Sequence, residues 1–362
     1  MMPQPLSGIT VLDFSTLLPG PLATLMLAEA GADVIKIERP GGEDMRRFPP
    51  QWDGDSAAFA LLNRGKRGMT LDLKNERTKV EALIQKADVL VEQFRPGVMA
   101  RLGLGYQEAR KINPRIIYCS ISGYGQSGPR APEAGHDINY IAATGLLNLQ
   151  PGPAGDPVLP PMLAADIAGG SFPAVINILL ALRQRDQTGE GCYLDIAMTD
   201  AMFTFAWYAQ AIGQATGRFP NPGELMLVGG SPRYRLYPTK DGKLVACGAL
   251  EQKFWDAFTQ AIGLPSDLAD DRRDPEATRT AVAKRIATRD ADAWQPIFAQ
   301  ANCCVTIVAP LEQAMHDPHF VERGLFSAKV ENASGQAMAA APVPVDRAFR
   351  GTPGTKKFPP AG

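Results

Sequence analysis

Residues 9–38 read ITVLDFSTLLPGPLATLMLAEAGADVIKIE, and three patterns follow one another inside that stretch. ITVLDF and DVIKIE are apolar, β-branched runs of strand length. PGPLATLMLAEAGA between them carries apolar residues at helical spacing, opened by Pro19 and followed by Gly31. Strand, helix and strand in so short a span predict a βαβ unit, whose two strands lie parallel. The turn after the first strand, STLLPGP, contains no G-x-G-x-x-G, so the phosphate-gripping loop of dinucleotide enzymes is missing. Glu38 nevertheless stands where their acidic ribose partner falls.

The alternation continues outward through MTLDLK (Met69 to Lys74), the helical NERTKVEALIQKA, DVLVEQF (Asp88 to Phe94), RIIYCSIS (Arg115 to Ser122) and CYLDIAM (Cys192 to Met198). That order predicts a parallel α/β architecture. Composition then shifts, and Pro and Gly crowd the stretch RFPNPGELMLVGGS. The predicted organisation is a larger α/β domain over residues 1–216, a linker over 217–231 and a smaller α+β domain over 232–330. The small domain holds a hairpin turning at Asp241-Gly242 and three helices. Residues 331–362 are expected to return to the first domain as extended chain.

At 362 residues with 45% hydrophobic side chains, the chain can bury a sizeable core. A formal net charge of −1 argues against bulk binding to nucleic acid or membrane, so any anion site must be local. No basic, apolar leader opens the sequence, and no stretch approaches the roughly 18 uninterrupted apolar residues of a membrane span. A cytoplasmic protein is expected. The five cysteines form no C-x-x-C pair and read as structural thiols of a reducing compartment.

The chemistry concentrates between GHDINY (Gly135 to Tyr140) and ADIAGG (Ala165 to Gly170), which flank the Pro-rich loop QPGPAGDPVLPP. His136 and Asp166 lie 30 residues apart, each where loop hands over to helix. Asp137 and Asn139 are placed to fix the imidazole tautomer. Asp166 reads either as an N-cap carboxylate or as a working acid at the positive end of a helix dipole. In the second case Gly169 and Gly170 let a ligand approach the backbone, and free N–H groups favour an enolate oxygen. Glu251, in GALEQKF, is either a first-turn glutamate favoured by its helix or a carboxylate that orients His136. His316 and His319 in HDPHF lack a third ligand at suitable spacing, and no metal site is predicted. Arg39, the cluster Arg64, Lys66 and Arg67, and the pair Arg95 and Arg101 fall at turns. They read either as a solvated rim or as phosphate contacts at strand ends.

With PLSGITVLDF, GADVIKIERP, LDLK, RPGV, RLGLG, SGYGQSGP, DGKLVACGALE and HDPHF, these segments resemble the family III (CaiB/BaiF) CoA transferases along nearly the whole chain. Within them the α-methylacyl-CoA racemase branch is the most similar. The resemblance implies a Rossmann-like large domain, a smaller α+β domain and an interlocked homodimer. It also implies an acyl-CoA substrate and no separate cofactor, with the CoA held by the basic turns. In the racemase branch the positions matching His136 and Asp166 exchange the α-proton and the one matching Glu251 pairs with the histidine, so Asp137, Tyr140, Gly169 and Gly170 become supporting residues. In the transferase branch the aspartate is the nucleophile and no histidine is needed, so His136 favours the racemase. VGGSPRYRLYP also lacks the longer glycine run of oxalate-specific transferases. Two departures stand out where racemases read NLVGDFGGG: Met162 replaces an asparagine, and Ala165 and Ala168 replace glycines.

Overall fold

The computed structural model describes residues 4–150 and 158–360; residues 151–157, in the Pro-rich loop between the two key motifs, lie outside the described residues. Strand β1 (Thr10–Asp13) leads into α1 (Pro19–Glu29), which has prolines in its first turn, and β2 (Asp33–Glu38) follows. A proline there fixes a helical φ where no N–H partner exists to lose. β1 pairs in parallel with β2 on one side and with the strand Val89–Glu92 on the other, setting Val11 beside Val34 and Val89. All three valines are essentially inaccessible to solvent. Parallel strands covered on both faces read as continuous apolar runs, which is why these segments were legible.

The full sheet runs β3 (Arg67–Thr70), β2, β1, β4 (Val89–Glu92), β5 (Ile117–Ser122), β6 (Tyr193–Ala197), every pair parallel. This is the strand order of Rossmann-type sheets. One strand differs from the sequence reading. MTLDLK contributes only Met69 and Thr70 to β3, because Asp72 opens a turn over residues 73–75, accepting the N–H of Lys74 at 2.9 Å.

The chain divides into two compact units. The first comprises Met1–Thr144, Met162–Phe205 and Asp317–Gly362; the second comprises Gly145–Pro161 and Ala206–His316. These boundaries differ from the expected 1–216 and 232–330. The apolar stripe after Met198 is not one helix: it breaks at Ala206 into α5 (Met198–Phe205) and α6 (Trp207–Thr216), and the second helix belongs to the second unit. The return begins at Asp317, where Pro318 opens a new short helix, and not at residue 331.

In the first unit, α2 (Ala57–Asn63), α3 (Asp137–Ala143) and α4 (Phe172–Thr188) join α1 and α5. The helical run Ala165–Thr188 is long and apolar enough to cross a membrane by length and composition. Its Ala174, Ile178 and Ala181 are nonetheless buried in the core of this unit. Residues of the C-terminal segment form a small sheet of β10 (Lys329–Glu331), β11 (Ala337–Ala339) and β12 (Thr355–Lys357), more regular than the extended chain predicted. It is tied in through the N–H of Gly65, which donates to the Lys357 carbonyl at 2.7 Å.

The second unit carries an antiparallel sheet of β7 (Tyr234–Pro238), β8 (Leu244–Gly248) and β9 (Val305–Ile307). Its hairpin turns at Asp241-Gly242, with Gly242 at φ 75°. Helices α7 (Gln252–Ile262), α8 (Pro275–Ile286) and α9 (Ala291–Ala301) enclose a core rich in aromatic rings, including Trp255, Phe258, Trp294 and Phe298. All five cysteines are unpaired, and Cys119, Cys247 and Cys303 are buried.

Candidate active site

In a sheet of this order the chain leaves β1 and β4 in opposite directions, which opens a crevice beyond their C-terminal ends. A cavity of about 470 Å³ lies there in the first unit. Leu17 and Pro19 after β1, Arg95 after β4, and His136, Tyr140 and Asp166 all line it. The structure therefore brings the two residues singled out in sequence into one cavity.

His136 is the residue before α3, and its ring is exposed. Its backbone N–H donates to Asn139 Oδ1 at 3.0 Å. Asp137 is buried, and its Oδ1 accepts the N–H of Asp166 at 2.9 Å. Neither side chain is bonded to the imidazole; the His136 side chain instead meets the backbone N–H of Asn139 in the capping box, while Asp137 ties the two halves of the site together. Tyr140 donates its hydroxyl to the Gly135 carbonyl, bracing the turn that presents His136.

Asp166 is not an N-cap. It sits inside a wide π-helical turn, Ala165–Ser171, that runs directly into α4. Such turns are inserted where a side chain must be re-aimed, and they are frequent at functional sites. Burial, and secondarily the like charge of Asp137, push the Asp166 carboxyl up to about 6, against a smaller opposing effect of His136. It can hold a proton in a pH range where an ordinary aspartate has lost it.

Gly169 and Gly170 do not open the backbone to a ligand as predicted. Both are buried within the π-turn, and a Cβ on Gly169 would come within 2.4 Å of the Met198 carbonyl oxygen. Their role is close helix packing. Gly169→Ala is expected to cost about 2–3 kcal/mol in urea unfolding, because backbone cannot give way as a flexible side chain can. Ala165 is accommodated in the buried wall, and Met162 is 61% exposed.

The basic residues separate into distinct groups. Arg64 is corrected from ligand contact to structural pairing: it is buried against Glu29, with an Nε–Oε1 distance of 3.1 Å. Lys66 is corrected likewise, since its ammonium spends its three donors on Asp13, Asn63 and the Pro21 carbonyl. Arg67 pairs with Asp33 where β3 and β2 begin, the opposite end of the sheet from the crevice. Arg101 is exposed, beside Gly97. Arg95 lines the cavity of His136 and Asp166.

Arg39 lines a second cavity, of about 610 Å³, with Thr16, Glu38, Lys74 and Phe94. Glu38 is not available to a ribose, because Arg46 grips both its oxygens, at 2.6 and 2.7 Å. Lys74 was missed in the sequence reading, although it lies just beyond a strand like Arg39. Glu251 lies in the second unit, exposed, as the N-cap of α7 without a side-chain capping bond.

A parallel α/β unit thus sets an imidazole and a carboxyl in one cavity at its switch point. Residues 6–362 match CoA-transferase family III, and the chain belongs to that family. It is 37% identical over 331 residues to the human α-methylacyl-CoA racemase, covering 89% of this chain and 82% of that one. It is 34% identical over 338 residues to the acetyl-CoA:oxalate CoA-transferase of Acetobacter aceti, covering 89% and 85%. A solved CaiB/BaiF family protein from Brucella suis superposes with a TM-score of 0.80 at 29% identity, covering 99% of this chain and 95% of that one.

Proposed function

We propose that the chain interconverts (R)- and (S)-2-methylacyl-CoA thioesters by moving one proton at the α-carbon. The carrying observation is that an exposed imidazole and a carboxyl whose proton is held up to about 6 line one cavity. His136 takes the α-proton and becomes imidazolium, leaving an enolate. Asp166 gives its proton to the other face and becomes carboxylate. The reverse direction exchanges the roles. Inversion requires a group on each face, because a single base tends to return the proton to the side it left. A positioned acid or base contributes roughly 10² to 10⁴ in rate. Arg95 supplies positive charge beside the enolate or the CoA, while Arg39 and Lys74 suit the phosphates of CoA in the neighbouring cavity.

The proposal extends to assembly. The helix α4 leaves Ile176, Leu179 and Leu180 exposed at helical spacing, the kind of apolar face that a second copy would cover. In an interlocked homodimer of that kind, Glu251 of a second copy is the proposed partner of His136. The substrate brings its own CoA, so no further cofactor enters the scheme.

A second reading, CoA transfer between carboxylic acids, is favoured by the transferase among the relatives. There the Asp166 carboxylate attacks the thioester carbonyl, forms a mixed anhydride and releases CoA thiolate. Incubating one enantiomer of a 2-methylbutanoyl- or 2-arylpropionyl-CoA thioester in D₂O, with and without an acceptor acid, separates the two. Racemisation predicts α-deuterium without acceptor. No deuterium, with CoA moving to the acid and hydroxylamine trapping at Asp166, would establish transfer instead.

A further inference from the structure

We propose that Glu43 and Lys36 are positioning residues of the thioester site, which they serve by pinning Leu17 in a left-handed backbone conformation between the two cavities. The inference rests on the CoA-thioester reading above. Leu17 has φ 61°, a region that disfavours any residue with a Cβ by roughly 1–2 kcal/mol. Such a conformation persists only where the surroundings over-determine it.

The surroundings are a buried set of charges. Glu43 Oε2 accepts the Leu17 N–H at 2.8 Å. Its Oε1 has no hydrogen-bond partner and rests on the Lys36 ammonium at 3.1 Å. That ammonium donates to the Ser15 carbonyl, two residues before Leu17. Both side chains are at most 2% exposed. A buried pair of this kind is often no more stabilising than apolar residues of the same volume, so stability alone does not account for it.

The far side of the loop is tied to the chemistry. Gly20 donates its N–H to Gln93 Oε1 at 2.9 Å. The Ser171 hydroxyl lies 2.7 Å from the Pro19 carbonyl and 3.2 Å from that of Asp166, so the loop is tied to the turn that carries the acid. Thr16 lines the cavity of Arg39, Leu17 lines the cavity of His136, and Phe94 lines both. A thioester with its phosphates in one cavity and its acyl carbon in the other must cross this loop. The Leu17 side chain then sets where the α-carbon stops between its acid and its base.

The test measures kcat and KM for α-proton exchange together with binding of free CoA. Leu17→Gly keeps the backbone conformation and removes the wall. It should fold at least as well as the parent, bind CoA within about threefold, and lose roughly 10- to 100-fold in kcat, the scale of a misplacement near 1 Å. Glu43→Ala should lose kcat similarly but leaves a buried ammonium unpaired and is prone to unfold. The double variant Lys36→Met/Glu43→Ala removes both charges together, so no buried ion is left unpaired, and takes away the acceptor of the Leu17 N–H and the donor to the Ser15 carbonyl; it should fold and lose kcat about as far as Leu17→Gly. An active parent with unchanged kcat and KM in folded Leu17→Gly overturns the inference alone. So does a folded double variant whose kcat stays within about threefold of the parent. A parent that neither exchanges protons nor transfers CoA overturns the thioester reading, and this inference with it.

Discussion

Exchange of the α-proton in D₂O falls by about 10²- to 10⁴-fold when His136 is replaced by Ala, the range that a positioned base contributes. The fold should lose little. The ring is exposed, and of the capping box that opens α3 alanine keeps the bond from the backbone N–H of His136 to Asn139 and loses only the one that the His136 side chain accepts from the Asn139 N–H. Unfolding free energy should therefore fall by no more than about 1 kcal/mol, the scale of a lost cap. The variant also separates the two reactions of the family. If acyl transfer through Asp166 is the activity, His136→Ala keeps moving CoA to an acceptor acid. Undiminished deuterium incorporation would remove the imidazole from the mechanism.

Asp166→Asn abolishes both reactions, since amide nitrogen neither supplies the proton nor forms the anhydride, and it changes stability in a pH-dependent way. The folded carboxyl releases its proton near 6 and not at its ordinary 3.8. Protonation is thus favoured by folding: the stabilisation from this group is complete below about pH 4 and is lost as pH rises through 6. At pH 8 the ionised form costs on the order of 1–2 kcal/mol, discounted because part of the group still meets water. The asparagine variant should be the more stable protein at pH 8 and no more stable at pH 4 in urea titrations. An equal shift at both values would mean that the charge of Asp166 is not what strains the site.

What could be read in sequence follows from how locally each feature is determined. The strands Thr10–Asp13, Asp33–Glu38 and Val89–Glu92 announce themselves because both faces of a parallel sheet are covered. His136 and Asp166 stand out because helix starts leave a local signature. Arg64 and Lys66 were misread because their carboxylates, Glu29 and Asp13, lie 35 and 53 residues away, and no spacing rule reveals such pairings. A separation of 29 residues likewise hid the contact between Asp137 and Asp166. The π-turn was invisible because Gly169 and Gly170 read equally well as ligand-approach glycines and as packing glycines. The choice is made by the Met198 carbonyl, which arrives from another helix. The break at Ala206 has no proline or glycine to mark it.

The order in which the first unit is assembled from the chain matters for biosynthesis. Its last 46 residues, Asp317–Gly362, follow more than a hundred residues of the other unit. A nascent polypeptide emerging from the ribosome therefore exposes the sheet-bearing half long before the strand β12 that bonds to Gly65 has been translated. Val343, which packs on Leu25 and Met26, arrives late as well. Termination of translation before Val343 would leave that apolar surface open, and the cell would meet the shortened product as a chaperone and protease client.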